Sequence, residues 1–267
     1  MTLTESPRPR SSARVIAVLA MVFGSLLIVG SLTIGAVSAA RAASVRTDTL
    51  TADATGIRSL DVDVAAADLK IVYGGDEASL TVTGVSSDWT LRRDGDSLVV
   101  RTDRNWWKGW SLFGREADTA TLTLPSSLQH TAVDADLSVS AGQLRADGTF
   151  GTLGLSLSAG TMDVSGTAER LDVDASAGRL TFDLADTSEA DLNLSAGAVT
   201  GSLSGSAPRT VTVDVSAGRM DLTLPTGRYA VSSEASAGEF RNDLQVDSSS
   251  DHRVQVTVSA GVVRIGS

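Results

Sequence analysis

The stretch LDVDASAGRLTFDL, residues 171–184, decides the fold because it places two alternating runs around three very small residues. Apolar residues occupy positions 171, 173 and 175 before the triplet Ser-Ala-Gly, and positions 180, 182 and 184 after it. Side chains of a straight strand alternate between faces with period two, so a change from odd to even positions requires a bend or bulge. The stretch therefore predicts two half-buried strands joined by a corner at the triplet.

The same triplet occurs seven times, with its serines spaced 18, 18, 19, 21, 20 and 23 residues apart. Glycine accepts the positive φ that a corner often needs, and small side chains let successive corners stack. In the sixth copy the pattern weakens, because Ser233 stands where the other copies have an apolar residue. The predicted structural corners are Ser140 and Gly142, Ser158 and Gly160, Ser176 and Gly178, Ser195 and Gly197, Ser216 and Gly218, Ser236 and Gly238, and Ser259 and Gly261.

A unit of this length cannot bury both of its own faces, so the repeat predicts an all-β fold in which units stack as a β-solenoid. We assign residues 131–267 to the solenoid, with coils of about 18–23 residues. We assign 57–130 to irregular first coils with a hairpin cap. A degenerate copy at 62–72 has Ala65–Ala67 in place of the triplet. A β-sandwich is the alternative. The chain stops soon after the last triplet, which suggests self-association through an exposed C-terminal coil.

Composition excludes several classes of site and partner. The chain of 267 residues is 42% hydrophobic and has no cysteine, so a packed core is feasible whereas disulfides, thiolate metal sites and cysteine nucleophiles are not. The net charge of −10 argues against nucleic acid as a partner, because phosphate binding needs a basic surface.

The N-terminal segment indicates an exported protein. Residues 15–40 are 26 consecutive residues without a charge, more than the roughly 20 that a membrane helix needs. Arginines 8, 10 and 14 favour a cytoplasmic N-terminus. We therefore predict a cytoplasmic tail (1–14), a transmembrane helix (15–40), a linker (41–56) and an extracytoplasmic body held at the cell membrane by one span. A cleaved secretory signal is the alternative.

With these features the chain resembles the bacterial putative-adhesin family of unknown function. The resemblance rests on the apolar N-terminal span, the LxVxxSAGxLxxxL pattern and the L-T-L-P turns at 122–125 and 222–225. It implies a β-helical body, membrane attachment and an adhesin-like or envelope-stress-associated role. It brings no catalytic or ligand-binding residues to transfer.

An enzyme on such a fold would need carboxylates gathered on one face. The candidates form a polar column, which Ser138, Ser156, Thr212 and Thr257 interrupt in other copies. We therefore expect no catalytic, metal or cofactor site, although calcium binding by the column remains an alternative. Histidines 130 and 252 lack a flanking base pattern. The column consists of Asp136, Asp172, Asp174, Asp191, Asp214 and Glu234.

The stretch NWWKGWSLFG, 105–114, holds a possible contact surface formed by Trp106, Trp107, Trp110 and Phe113. Grouped aromatic side chains can stack on sugars or lie at a membrane interface. The alternative is a plug over the open end of the solenoid.

The expected function is a noncatalytic, membrane-anchored module for adhesion, scaffolding or envelope sensing, with a cell-wall glycan or a protein as partner. The alternative is a secreted carbohydrate-active enzyme.

Overall fold

The alternating runs form strands in the computed structural model, which describes residues 46–84, 89–102 and 118–267. Strands make up 72% of these residues, so the all-β expectation is confirmed. Ser126–Leu128 forms a single 3₁₀ turn. The strands are β1 (Arg46–Ala52), β2 (Ser59–Val64), β3 (Ala67–Tyr73), β4 (Ala78–Gly84), β5 (Trp89–Asp94), β6 (Ser97–Thr102), β7 (Asp118–Leu124), β8 (Val133–Val139), β9 (Gly142–Leu157), β10 (Thr161–Ala175), β11 (Arg179–Ala185), β12 (Glu189–Leu194), β13 (Ala198–Ser204), β14 (Thr210–Thr223), β15 (Arg228–Ala235), β16 (Glu239–Asn242), β17 (Gln245–Val246) and β18 (Arg253–Gly266).

The strands pair mainly in parallel, in two series that follow the two halves of the sequence pattern. Segments before each triplet pair with one another, so that Leu171 lies beside Leu153 on one neighbour and Ala190 on the other. Segments after each triplet do the same, with Met162 between Leu144 and Leu180. Because the register keeps apolar positions side by side, these side chains form one continuous aliphatic core.

The β-solenoid expectation is corrected, because the strands close on themselves. β10 pairs with both β11 and β12, β11 with β13, β12 with β14, and β13 with β14. These five strands form a closed parallel barrel. The physical reason is that β10 and β14 run on through a bend and take part in both series. In the closed arrangement, backbone groups at the edges of these strands are paired, whereas isolated strands would leave them unpaired.

Glycines of the triplets lie against one another in a file. A Cβ added at Gly178 would meet the backbone oxygen of Gly160, and one at Gly160 would meet that of Gly142. The file starts at Ala67, the residue that stands in place of glycine in the degenerate copy. Five glycines of the file have positive φ, between +97° and +141°, whereas Gly238 and Gly261 do not: they are Gly142, Gly160, Gly178, Gly197 and Gly218. The serines and alanines of the triplets are mostly exposed.

The order of strands in space differs from the order in the chain at the C-terminal end. β18 pairs with β14 on one side and with β15 and β16 on the other. The last copy is therefore enclosed, and the sixth copy lies outermost. This position explains the weak sixth copy, since Ser233 is exposed at the end of the core.

Antiparallel pairs complete the opposite end. β5 and β6 form a hairpin whose turn contains Gly95 at φ +64°, and β4 pairs antiparallel with β1 and β7. β2 and β3, the degenerate copy, pair in parallel with β8 and β9 and also with β6 and β7.

The predicted membrane span requires a separate correction. Within the described ranges, no helix is long and apolar enough to cross a bilayer. Residues 15–40 lie outside those ranges. The structure therefore gives no support to a transmembrane helix or to a single-pass location with a cytoplasmic N-terminus.

Candidate functional site

Three neighbouring strands carry a patch of carboxylates on their outer side, here called the acidic face: Asp172 and Asp174 of β10, Asp191 of β12 and Asp214 of β14. Parallel register places Asp172 directly beside Asp191, and Asn193 lies between Asp174 and Asp214. All four carboxylates are exposed. The two other members of the predicted column stand apart from this patch: Asp136 of β8 lies beside Gly154 of β9, and Glu234 lies on the outermost strand beside Thr257.

Asp191 is the electrostatic centre of the acidic face. Its pKa is raised above the ordinary aspartate value, first because partial burial disfavours the charge and then because Asp172, Asp214 and Asp174 repel it. A hydrogen bond from Asn193 Nδ2 to Asp191 Oδ1, 3.3 Å long, opposes the shift. The face therefore has an unsatisfied excess of negative charge that a cation would relieve.

Asp191→Asn is expected to stabilise the protein by about 0.5 kcal/mol at neutral pH, because like charges on adjacent strands are destabilising. Because the pKa of Asp191 is higher in the folded state than in the unfolded state, the folded state binds more protons between these two pKa values. The free energy of unfolding of the wild-type protein therefore falls as pH rises through this range. The advantage of the variant should vanish below the ordinary value of 3.8. Urea unfolding between pH 3 and pH 8 measures it.

Asp221→Asn is the matched control for this prediction. Asp221 Oδ1 lies 3.7 Å from Arg264 Nη1, so its removal takes away an attraction instead of a repulsion. We expect no gain in stability at neutral pH. An equal gain from both variants would show that net charge, and not the neighbours of Asp191, controls the effect.

A clamp of one carboxylate and two arginines borders the acidic face. Arg170 donates to Glu189 Oε2 through Nη2 at 2.7 Å and Nε at 3.1 Å, and Arg209 Nη2 donates to Oε1 at 3.2 Å. Arg170, first by hydrogen bonding and then by its charge, lowers the pKa of Glu189, and Arg209 adds to the effect. Glu189 is thus held ionised and occupied by its partners.

Between the clamp and the acidic face runs a shallow groove of about 320 Å³, lined mainly by Arg170, Asp172, Glu189, Asp191 and Thr212. Its opposed charges suit polar groups of a ligand. Sequence reasoning found the aspartates by their alternation but missed Glu189 and the arginines. Arg170 and Glu189 lie two residues before Asp172 and Asp191 and face each other across the strands. Arg209 directly precedes β14, whose first residue, Thr210, lies beside Glu189, so only cross-strand register brings the three side chains together.

The other candidate residues are separated from this face or lie outside the described ranges. Trp106, Trp107, Trp110 and Phe113 fall within 103–117, which the structure does not describe. His130 is exposed, and a ring nitrogen of His252 lies 2.9 Å from the carbonyl oxygen of Pro208. Across 46–84, 89–102 and 118–267, no three His, Asp or Glu side chains are arranged to hold a metal ion.

Comparisons with known proteins find similar solved structures. A putative adhesin from Parabacteroides merdae matches with a TM-score of 0.47 and 11% identity over 84% of this chain and 97% of that chain. A putative adhesin from Parabacteroides distasonis matches with a TM-score of 0.44 and 13% identity over 82% and 97%. A putative lipid binding protein from the same organism matches with a TM-score of 0.38 and 12% identity over 83% and 96%.

No protein-family model matches the chain, and no curated protein matches it significantly. Two of these solved structures are named as putative adhesins. The membrane attachment that the sequence analysis expects is not shown by the comparisons.

Proposed function

We propose that this protein is a noncatalytic, adhesin-like binding module that holds an extended partner along its acidic face. The observation that carries the proposal is the register of β10, β12 and β14, which sets carboxylates side by side on an exposed surface. Adjacent strands are about 4.8 Å apart, so the face offers closely spaced charges to a long ligand. Such a flat array favours multipoint binding over enclosure of a small substrate.

The negative charge of the acidic face is complementary to a partner that carries a row of positively charged amino groups. Opposite potentials on two surfaces favour association and make it sensitive to salt. Both a glycan with amino sugars and a lysine-rich protein segment have this chemistry, in keeping with the glycan or protein partner expected from the sequence.

The test measures binding of the full chain to a soluble glucosamine polymer and, separately, to a lysine-rich peptide. Asp172→Asn with Asp191→Asn should weaken binding about tenfold, since two charges at the centre of the face are lost. Asp163→Asn with Asp183→Asn is the control, because it changes net charge equally on the segments that follow the triplets. Its effect should stay below about twofold.

Equal weakening by both double variants would show that total charge governs binding, and the proposal would fail. A glycan-specific loss identifies a glycan partner, and a peptide-specific loss a protein partner. Release of sugars over time, abolished by Asp172→Asn or Asp174→Asn, would instead favour the carbohydrate-active enzyme that the sequence left as its alternative.

A further inference from the structure

The outermost layer, formed by β15 and β16, has one paired side and one open side. β15 pairs with β18 over Ala230–Ala235, and β16 pairs with β18 over Glu239–Asn242. Among the described residues, no strand pairs with the opposite edge of Ala230–Ala235 or of β16. An open edge presents free backbone N–H and C=O groups that another strand can bind.

The core is also open at this layer. Phe240 is only half-buried, whereas Val263, its neighbour on β18, is fully buried. Ala235 is exposed, whereas its neighbour Val258 has 1% exposure. Covering this apolar surface with a partner is favourable, because it removes apolar groups from water.

Charge on the same edge is self-complementary. Glu234 projects outward from β15, and Arg241 projects outward from β16 beside Arg264 of β18. Arg264 is already paired, because its Nη1 lies 3.7 Å from Asp221 Oδ1, and Arg241 Nε donates to Glu239 Oε1 at 2.7 Å. A guanidinium has five N–H donors, so Arg241 can also bind a carboxylate of a partner.

We propose that two copies of this chain associate through this edge, with β15 of one copy antiparallel to β16 of the other. A two-fold axis reverses chain direction, which makes the contact antiparallel and isologous. The pairing places Ala235 opposite Phe240, Ser233 opposite Asn242 and Glu234 opposite Arg241. Core-facing residues then meet core-facing residues, and opposite charges meet on the outer side.

The parity change at the triplet makes this pairing possible. Core-facing residues are odd-numbered in β15 and even-numbered in β16, so each inward residue of one copy faces an inward residue of its partner. If β15 paired with β15 of the other copy, β16 would be left out of the interface. The inference replaces self-association through the C-terminal coil, since β18 is paired on both sides.

The strands on either side of the undescribed segment 103–117 lie far from this edge. They are β6 and β7, which pair with β2 and β3 at the far end of the pairing order from β15 and β16.

Cysteine cross-linking tests the register on the full chain in mild detergent. The protein has no cysteine, so only the introduced thiols can form disulfides. Chains with Ser233→Cys and chains with Asn242→Cys are mixed and oxidised. Facing residues of an antiparallel pair are close enough for a disulfide, so the mixture should give a covalent dimer and neither variant alone should. Ser232→Cys mixed with Asn242→Cys is the control, one residue out of register and on the opposite face.

Charge exchange supplies a second measurement, the dissociation constant from sedimentation. Glu234→Lys and Arg241→Glu should each weaken dimerisation about tenfold, and the double variant should restore it. Absence of dimers at about 100 μM, equal cross-linking by the control pair, or no restoration would each overturn the proposal. Dimers formed through residues 1–45 would lack the register-specific cross-link and would overturn it as well.

Discussion

Gly178→Ala is expected to lower the free energy of unfolding by about 2–5 kcal/mol, measured by urea denaturation followed by circular dichroism. Gly178 has φ +97°, a conformation that costs other residues energy. An added Cβ would also run into the backbone oxygen and nitrogen of Gly160 in the next layer. A shift of the two layers apart would strain the hydrogen bond that the Arg179 N–H donates to the carbonyl oxygen of Gly160 at 3.0 Å.

Gly56→Ala is the control that separates these two costs. Gly56 also has a positive φ, +68°, but an added Cβ there meets nothing within 4 Å. We expect a loss of about 1–2 kcal/mol from backbone conformation alone. If both variants lose the same stability, close stacking of the triplets contributes nothing measurable, and the physical reason given for their small residues is wrong.

Phe182→Ala is expected to cost about 3–5 kcal/mol, because the ring is 1% exposed and its removal leaves a cavity in an aliphatic core. The ring lies over Gly201 of β13, where a Cβ would meet its edge atoms. Gly201→Val alone should therefore cost about 1–3 kcal/mol through overpacking. The double variant should lose about 0.5–3 kcal/mol less than the sum, because valine fills the space that the ring vacates.

Leu180→Ala combined with Gly201→Val provides the matched comparison. Leu180 is fully buried on the same strand as Phe182, but it pairs with Val199 and is not among the nearest atoms to Gly201. The two losses should add within about 0.5 kcal/mol. Additivity in the Phe182 pair would instead show that the phenylalanine and the glycine do not share one space.

The local pattern was enough to predict which residues of the copy at 171–184 are buried. Positions 171, 173, 180 and 182 all lie in the core with at most 1% exposure. Alternation determines this, because the face of a strand follows from period two alone. The aspartates of the acidic face were found in the same way, as the opposite parity.

The position of each layer was beyond the reach of the pattern. In the sequence, the sixth copy looked like a weakened repeat. The structure gives the reason: this copy lies at the end of the core, where Ser233 is exposed and need not be apolar. Nothing in a repeat states that the seventh copy pairs between the fifth and the sixth. That insertion depends on the long-range return of the chain through the loop before β18.

The sequence by itself determined the strands, their buried faces and the bends at the triplets, because these follow from side-chain alternation and from the small size of three residues. Only the tertiary structure decided that the strands close into a barrel, that Glu189 binds two arginines beside the acidic face and that β15 and β16 form the open edge. The physical reason is that pairing partners are chosen by contacts between residues about 20 or more positions apart, which short-range periodicity does not encode.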